Sequence, residues 1–353
     1  MTQKLKNIYI EISGCCNGKC KYCCTGQGKH ITATKFMTAE KFEEIILKLK
    51  ELEFLQDINT INLYNWGEPF LNPKINEILC VLGKHNLKAG ISSNFIKKPD
   101  NIHPNNFQFI HYIVFSLCSL KPERYKRIYG ANLEKTLSNF DFFVMQKSKY
   151  NKSIDILVAF HKYRFNKNEF DKARKYFKKK EAIFKENYYA TINDGHSLIE
   201  YLKTGKLDGY ESARKDLYLK RFHRMLSKCE EELCLRKREE LVINESGNLA
   251  LCCGVTSQDT EYNLGNILEL GKRDIFALKE APLCSICEQL KLPALAALND
   301  RMTLPNYPFY YKFLTRRMIE RLKKYKFLIA IKKFIYDCID RVRITVLRAI
   351  YED

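Results

Sequence analysis

The sequence predicts an α/β fold: a partial (β/α)6 TIM-like barrel, then a small C-terminal β-hairpin/helix domain and a helical tail. Three observations predict it. Short strand-like segments alternate with helix-periodic ones from about residue 5 to residue 189, a spacing that implies parallel strands joined by right-handed crossovers. Two further strand-like runs flank a turn near Gly247. From Tyr307 onward, apolar and basic residues interleave at helical spacing.

In chain order, Lys6 to Ser13 alternates apolar and polar residues and reads as the first strand. Thr38-Ala39-Glu40-Lys41 resembles a helix start, and Phe42, Ile45, Ile46 and Leu49 then share one face. Thr60–Tyr64 is the second strand, and Trp66-Gly67-Glu68-Pro69 follows it. A helix over Ile75–His85, a strand over Lys88–Ser93 and a strand over Tyr112–Leu117 come next. A helix over Asn132–Tyr150, a strand over Ile154–Phe160, a helix over Asn168–Lys178 and a strand beginning at Ala182 complete the alternation. Residues 190–233 break it and read as a helical connector. Residues 234–300 form a second cysteine-bearing domain, with Leu241-Val242-Ile243 and Leu249-Ala250-Leu251 as a hairpin. Residues 301–353 are the basic tail.

The chain has 353 residues, is 46% hydrophobic and carries a formal charge of +19. That composition supports a sizeable core and excludes a disordered tail or a disulfide miniprotein. No run of about 18 apolar residues suggests a spanning helix, and no apolar leader precedes the first strand, which points to the cytoplasm. In a reducing compartment, clustered cysteines read as metal ligands more often than as disulfides. The fourteen cysteines are clustered: five between Cys15 and Cys24, and five more between Cys234 and Cys287. The positive charge suits acidic partners, although a lysine-rich proteome accounts for it equally well. There is no zinc-finger spacing with paired histidines and no RNA-binding aromatic motif, so no specific nucleic acid is expected.

Cys16, Cys20 and Cys23 have the spacing C-x3-C-x2-C on the loop after the first strand. Three thiolates can hold three irons of a cubane cluster and leave the fourth open to a small molecule. A zinc site, or a structural cluster completed by Cys15, Cys24 or a distant ligand, is the alternative on spacing alone. In parallel α/β folds, chemistry gathers at the carboxyl ends of strands. The loop, with Tyr22 before its third cysteine, resembles the signature of the radical S-adenosylmethionine (SAM) superfamily. Asn65-Trp66-Gly67-Glu68-Pro69 resembles that family's GGEP segment, with Trp66 in place of the first glycine. Ser92-Ser93-Asn94 resembles the polar end of its third strand, and Phe115-Ser116-Leu117-Cys118 its S-L-D-G segment, with Cys118 where Asp is usual. The resemblance implies a SAM-binding [4Fe-4S] cluster on Cys16, Cys20 and Cys23. It also implies SAM contacts from Tyr22, Trp66, Gly67, Glu68, Pro69, Ser93, Asn94 and Ser116.

Cys234, Cys252, Cys284 and Cys287 form a second set, with G-x4-C spacing from Gly247 to Cys252 and C-x2-C spacing at the end. They resemble the auxiliary-cluster domain called SPASM, in its shorter twitch form, which implies a second [4Fe-4S] cluster with four protein ligands. A four-cysteine zinc site has the same ligand number. Strand alternation favours Cys252 over its neighbour Cys253, which then reads as a buried small hydrophobe.

The activity implied is that of an oxidoreductase. Reductive SAM cleavage yields a 5′-deoxyadenosyl radical that takes hydrogen from a small, glycan-like or peptide substrate, and the auxiliary cluster accepts an electron. His161, Lys162, Tyr163 and Arg164, after the fifth strand, are the candidates for a base. A low-potential donor such as flavodoxin or ferredoxin is the expected electron source. The alternative from another class is an iron–sulfur electron-transfer or metal-bound nucleic-acid-binding protein without SAM chemistry. The tail, if its helices are amphipathic, suits either packing on the barrel or peripheral attachment to an anionic membrane face.

Overall fold

The structure, a computed structural model, describes residues 5–29, 35–185, 189–227, 234–255, 262–278 and 281–293. The predicted tail, including Cys338, lies outside the described residues.

Nine strands form one open sheet among the described residues. They are β1 (Asn7–Ile10), β2 (Thr60–Asn62), β3 (Lys88–Ser93), β4 (Ile110–Leu117), β5 (Asp155–Phe160), β6 (Ile183–Lys185), β7 (Glu240–Ile243), β8 (Asn248–Ala250) and β9 (Asn263–Asn266). Their order is β6-β5-β4-β3-β2-β1-β7-β8-β9. The helices are α1 (Ala39–Glu51), α2 (Ile75–Lys84), α3 (Pro122–Tyr129), α4 (Leu133–Tyr150), α5 (Phe170–Lys178), α6 (Gly195–Thr204), α7 (Ala213–Asp216), α8 (Leu219–Leu226), α9 (Leu235–Glu239), α10 (Lys272–Leu278) and α11 (Pro282–Gln289). The six-strand partial barrel is as the sequence predicts.

The hairpin continues this sheet. β7 runs parallel to β1, with Ile8 opposite Leu241 and Ile10 opposite Ile243, and β8 and β9 then return antiparallel. Gly247 takes φ +87° in the turn, a conformation that favours glycine.

Strand alternation divides the sheet into two faces. Ile8, Ile10, Ile61, Ile91, Phe115 and Val158 face the helices and join one hydrophobic core with Phe42 and Ile46 of α1 and Phe140 and Phe143 of α4. Phe95 anchors its centre, with Phe115 at 5.2 Å and Phe140 at 5.4 Å in edge-to-face contact. The capping residues fit the sequence: Thr38 accepts the Lys41 N–H at the start of α1, and Asn132 the Lys135 N–H at the start of α4.

The opposite, inner face is more polar. By the same alternation it carries Tyr9, Glu11, Asn62, Gly90, Ser92, Tyr112 and Ser116. Tyr112 donates to the Asn62 side chain, and its ring passes over Gly90, where a Cβ would stand 2.5 Å from the ring. Tyr9 and Tyr64 meet edge to face at 5.6 Å. Among the described residues, no helix is long and apolar enough to cross a membrane.

Candidate active site

The cysteine loop leaves the C-terminal end of β1 and is clamped by backbone contacts from several segments. Gly67 passes so close that a Cβ there would lie 1.7 Å from the Ser13 carbonyl oxygen. The Glu68 N–H donates to the Cys15 carbonyl at 2.9 Å. At Gly26, a Cβ would stand 2.3 Å from the Cys20 backbone nitrogen, so the loop is folded tightly on itself. From the connector, the Asn193 N–H donates to the Tyr22 carbonyl at 2.7 Å. The Tyr22 hydroxyl donates to buried Asp216 at 2.6 Å. Asp216 also pairs with Arg127 at 3.2 Å and Lys21 at 3.7 Å, so the Lys21 charge is turned to this brace.

Gly18 faces the thiols. A Cβ built there would meet Cys20 Sγ at 3.4 Å and Cys16 Sγ and Asn94 Nδ2 at 3.5 Å. Cys16 Sγ accepts the Gly18 N–H at 3.3 Å and the Asn94 side-chain amide at 3.4 Å. Burial first, and then the Glu68 carboxylate, push the Cys16 thiol up to about 12. Burial, and then its two partner thiols, raise Cys20 well above the ordinary value. A hydrogen bond from Cys24 is the main reason Cys23 falls to about 6. Three sulfurs in one loop, with N–H groups already aimed at Cys16 and Cys23 and a glycine leaving space beside Cys16 and Cys20, fit the corner irons of a cubane. In such clusters, hydrogen bonds to sulfur tune the potential. Among the described residues, no three His, Cys, Asp or Glu side chains gather on one point as for a single ion; a cubane needs no such convergence, because each thiolate takes its own iron.

The other predicted SAM-contact residues frame this loop. Trp66 is 5% exposed. Pro69 opens a 3-10 turn, Pro69–Leu71. Glu68 is buried, and its carboxylate accepts the Asn94 N–H at 2.8 Å and the Phe70 N–H at 3.2 Å. Burial raises Glu68 to about 7, against the pull of these donors. Ser93 accepts the Phe95 N–H at 2.9 Å. Tyr22, only 3% exposed, has its ring turned toward Tyr163 and its hydroxyl engaged by Asp216. Ser116 is half-buried on the inner face, beside Ala159.

The second set is gathered from three elements. Cys234 caps the start of α9, Cys252 follows β8, and Cys284 and Cys287 lie three residues apart on one side of α11. Each thiol is raised, by burial first. For Cys287, the next causes are Cys234, Cys252 and Cys284. Cys252 Sγ accepts the Gly254 N–H at 3.3 Å. Glu288 accepts the Cys234 N–H at 2.9 Å and pairs with Lys237 at 3.4 Å, tying α11 to α9. Cys253 has different partners: Arg236 donates to its sulfur at 2.5 Å, and Glu240 lies 3.8 Å away. The expected apolar role for Cys253 is therefore corrected, because a half-buried thiol beside a guanidinium is a polar contact.

The two sets lie at opposite ends of the adjacent strands β1 and β7. β7 is parallel to β1, so Cys234 precedes it at the N-terminal edge, and β8 returns the chain there to Cys252.

Of the candidate bases, Tyr163 is buried, and Arg164 donates to the Arg214 carbonyl at the surface. The Lys162 ammonium lies over Tyr189 and Phe170. His161 Nδ1 lies 2.5 Å from the Tyr129 hydroxyl, and desolvation pushes its ring down to about 4. A depressed histidine stabilises the fold fully above its unfolded value near 6.5 and loses that contribution as pH falls toward 4. Unfolding of the wild type should therefore release fewer protons, or take up more, than unfolding of His161→Gln, by about one proton near pH 5. Thermal melts at pH 7 and pH 5 check this: the acid-induced drop should shrink in the variant.

Sequence reasoning did not single out Glu11, Asn193, Asp216 or Gly26. Only Glu11 left a signal, as an ionisable residue in the apolar run Ile10-Glu11-Ile12. The others act through contacts that no local pattern encodes.

Residues 10–166 match the profile of the Radical SAM superfamily. No curated protein matches the chain. Among solved structures, the chain is similar to Streptococcus suis SuiB bound to precursor peptide SuiA, at 15% identity and a TM-score of 0.54, covering 80% of this chain and 66% of that one. It is similar to SuiB bound to S-adenosylmethionine at 15% identity and a TM-score of 0.52, covering 81% and 72%. It is also similar to polyhistidine-tagged anSMEcpe with bound AdoMet at 18% identity and a TM-score of 0.50, covering 79% and 78%. At these identities the likeness is one of fold. The profile match makes residues 10–166 a radical SAM domain, and beyond it the chain is similar to these structures in fold alone.

Proposed function

We propose that this radical SAM enzyme oxidises a carbon centre of a small, glycan-like or peptide substrate, using two iron–sulfur clusters. In this reading, Cys16, Cys20 and Cys23 hold the SAM-binding [4Fe-4S] cluster, and Cys234, Cys252, Cys284 and Cys287 hold a second. Residues 5–189 are the catalytic core, 190–233 brace its cysteine loop, and 234–300 carry the second cluster. With an electron from a flavodoxin- or ferredoxin-like donor, the first cluster supplies reductive cleavage of SAM to methionine and a 5′-deoxyadenosyl radical. The remaining balance is simple: one hydrogen atom passes to the radical to give 5′-deoxyadenosine, one proton to a base, and one electron to the second cluster.

The observation that carries this reading is the pair of thiol sets at opposite ends of the adjacent strands β1 and β7, beside a polar inner face. A substrate on that face would have the radical source at one end and an electron acceptor at the other. The chain supplies positioning, exclusion of water and tuning of the sulfurs.

The test uses anaerobically reconstituted full chain and the Cys252→Ala/Cys287→Ala variant. Iron should fall from about eight to about four per chain. Slow, substrate-free formation of 5′-deoxyadenosine from SAM and dithionite should persist. Unchanged iron, or zinc bound by the second set, would reject the second cluster. No 5′-deoxyadenosine from the wild type would reject the whole reading.

A further inference from the structure

Asn94 directly follows β3 and is 9% exposed. Its backbone N–H donates to Glu68 Oε2 at 2.8 Å. Its side-chain oxygen, Oδ1, accepts the Ile96 N–H at 2.8 Å. That contact settles which end of the amide is oxygen, because a backbone N–H requires an acceptor. The amide nitrogen, Nδ2, is therefore the end turned to the cysteine loop. It donates to Cys16 Sγ at 3.4 Å and to Asn17 Oδ1 at 3.0 Å. An amide nitrogen carries two hydrogens, and each has an acceptor on the loop. The Gly18 N–H reaches the same sulfur at 3.3 Å, but it is a backbone group that no side-chain substitution removes. Asn94 brings a side-chain donor to Cys16 from a different strand end.

We propose that Asn94 raises the reduction potential of the first cluster by donating its side-chain amide to the sulfur of Cys16. This rests on the reading that Cys16, Cys20 and Cys23 hold that cluster. Reduction moves one electron from the donor protein to the cluster, and part of the added charge falls on the sulfurs. A hydrogen-bond donor aimed at a sulfur stabilises the more negative, reduced form more than the oxidised one. A direct contact to SAM, which the sequence resemblance implies for Asn94, is the competing role. Three variants separate the contacts. Asn94→Asp keeps an oxygen for the Ile96 N–H and nearly the same shape, but no amide hydrogen for Cys16. Asn94→Leu removes the donor without adding charge, and also leaves the Ile96 N–H without its acceptor. Asn94→Ala does the same with a smaller side chain, and serves if leucine prevents cluster assembly.

The experiment is an anaerobic redox titration of reconstituted full chain, read by electron paramagnetic resonance of the reduced cluster. The signal that changes when SAM is added belongs to the first cluster. At a fixed potential, the ratio of reduced to oxidised first cluster should fall about tenfold in Asn94→Leu and Asn94→Ala, which is about 59 mV for one electron. It should fall at least as far in Asn94→Asp, where a carboxylate replaces the donor. Iron per chain should match the wild type, and SAM affinity of the oxidised protein should stay within about twofold. An unchanged potential in the leucine and alanine variants would overturn the proposal whatever aspartate does, since a carboxylate lowers the potential by its charge alone. A fall in those two but not in Asn94→Asp would assign the effect to the Ile96 turn and overturn it as well. Lost SAM affinity at an unchanged potential would make Asn94 a ligand contact instead. Loss of the first cluster in all three variants would reduce Asn94 to a structural residue. If the wild type shows no SAM-responsive signal, the underlying reading fails; if it does and only the variants depart from these results, the failure belongs to Asn94 alone.

Discussion

Replacing Cys16, Cys20 and Cys23 together by alanine should remove about four of about eight irons per chain and abolish 5′-deoxyadenosine formation. The three thiols lie on one loop whose backbone is clamped independently of them, by Gly67, Glu68 and Asn193. The protein should therefore keep its fold while losing the chemistry. Two replacements serve as controls. Cys80 is exposed on α2, and Cys253 is engaged by Arg236 rather than by the second thiol set. Alanine at either position should leave about eight irons. The measurements are iron analysis and chromatographic assay of 5′-deoxyadenosine after dithionite and SAM. Retention of the first cluster in the triple variant would mean that other ligands hold it, and the SAM-binding assignment would fall.

The second large effect is expected at Gly67. A Cβ there would sit 1.7 Å from the Ser13 carbonyl oxygen and 2.9 Å from that of Cys15. Both obstacles are backbone, so no side-chain rotation relieves the clash. Gly67→Ala must push the Trp66–Glu68 segment off the cysteine loop, which breaks the Glu11 contacts to Trp66 and Gly67 and the Glu68 contact to Cys15. Overpacking of this kind costs roughly 3 kcal/mol or more, and SAM binding should be lost with the displaced segment. Gly28→Ala is the comparison. Gly28 has φ +69° but nothing within 4 Å of an added Cβ, so its cost should be limited to about 1 kcal/mol of conformational strain. Denaturant melts of the two variants side by side check the difference. Equal stability would mean that the close approach at Gly67 is not needed.

The strands and helices of the barrel were legible because their signals are local. The alternation in Lys6–Ser13, the strand-like runs Lys88–Ser93 and Tyr112–Leu117 and the helical face of Phe42, Ile45, Ile46 and Leu49 fall on β1, β3, β4 and α1. Asn132 opens the helical pattern in the sequence and caps α4 in the structure. The hairpin at Gly247 was legible for the same reason, since its turn needs a positive φ that glycine supplies. Its pairing with β1 was not. Parallel partners separated by more than two hundred residues leave no periodic trace in either strand. α3 also went unread, because its short run of eight residues is dominated by charged and tyrosine side chains.

The sequence by itself determined the α/β class, the two groups of cysteines and the order of the segments around them. Ligand spacing and strand periodicity are short-range properties of a chain, and a single chain can display them. Only the tertiary structure decided that Cys253 meets Arg236, and that the two thiol sets stand at opposite ends of the adjacent strands β1 and β7. It alone decided that Glu11 and Asp216 brace the loop. Side-chain direction at a strand end, and contacts between residues fifty to two hundred positions apart, depend on how sheet and connector pack. That packing is set by the whole core at once.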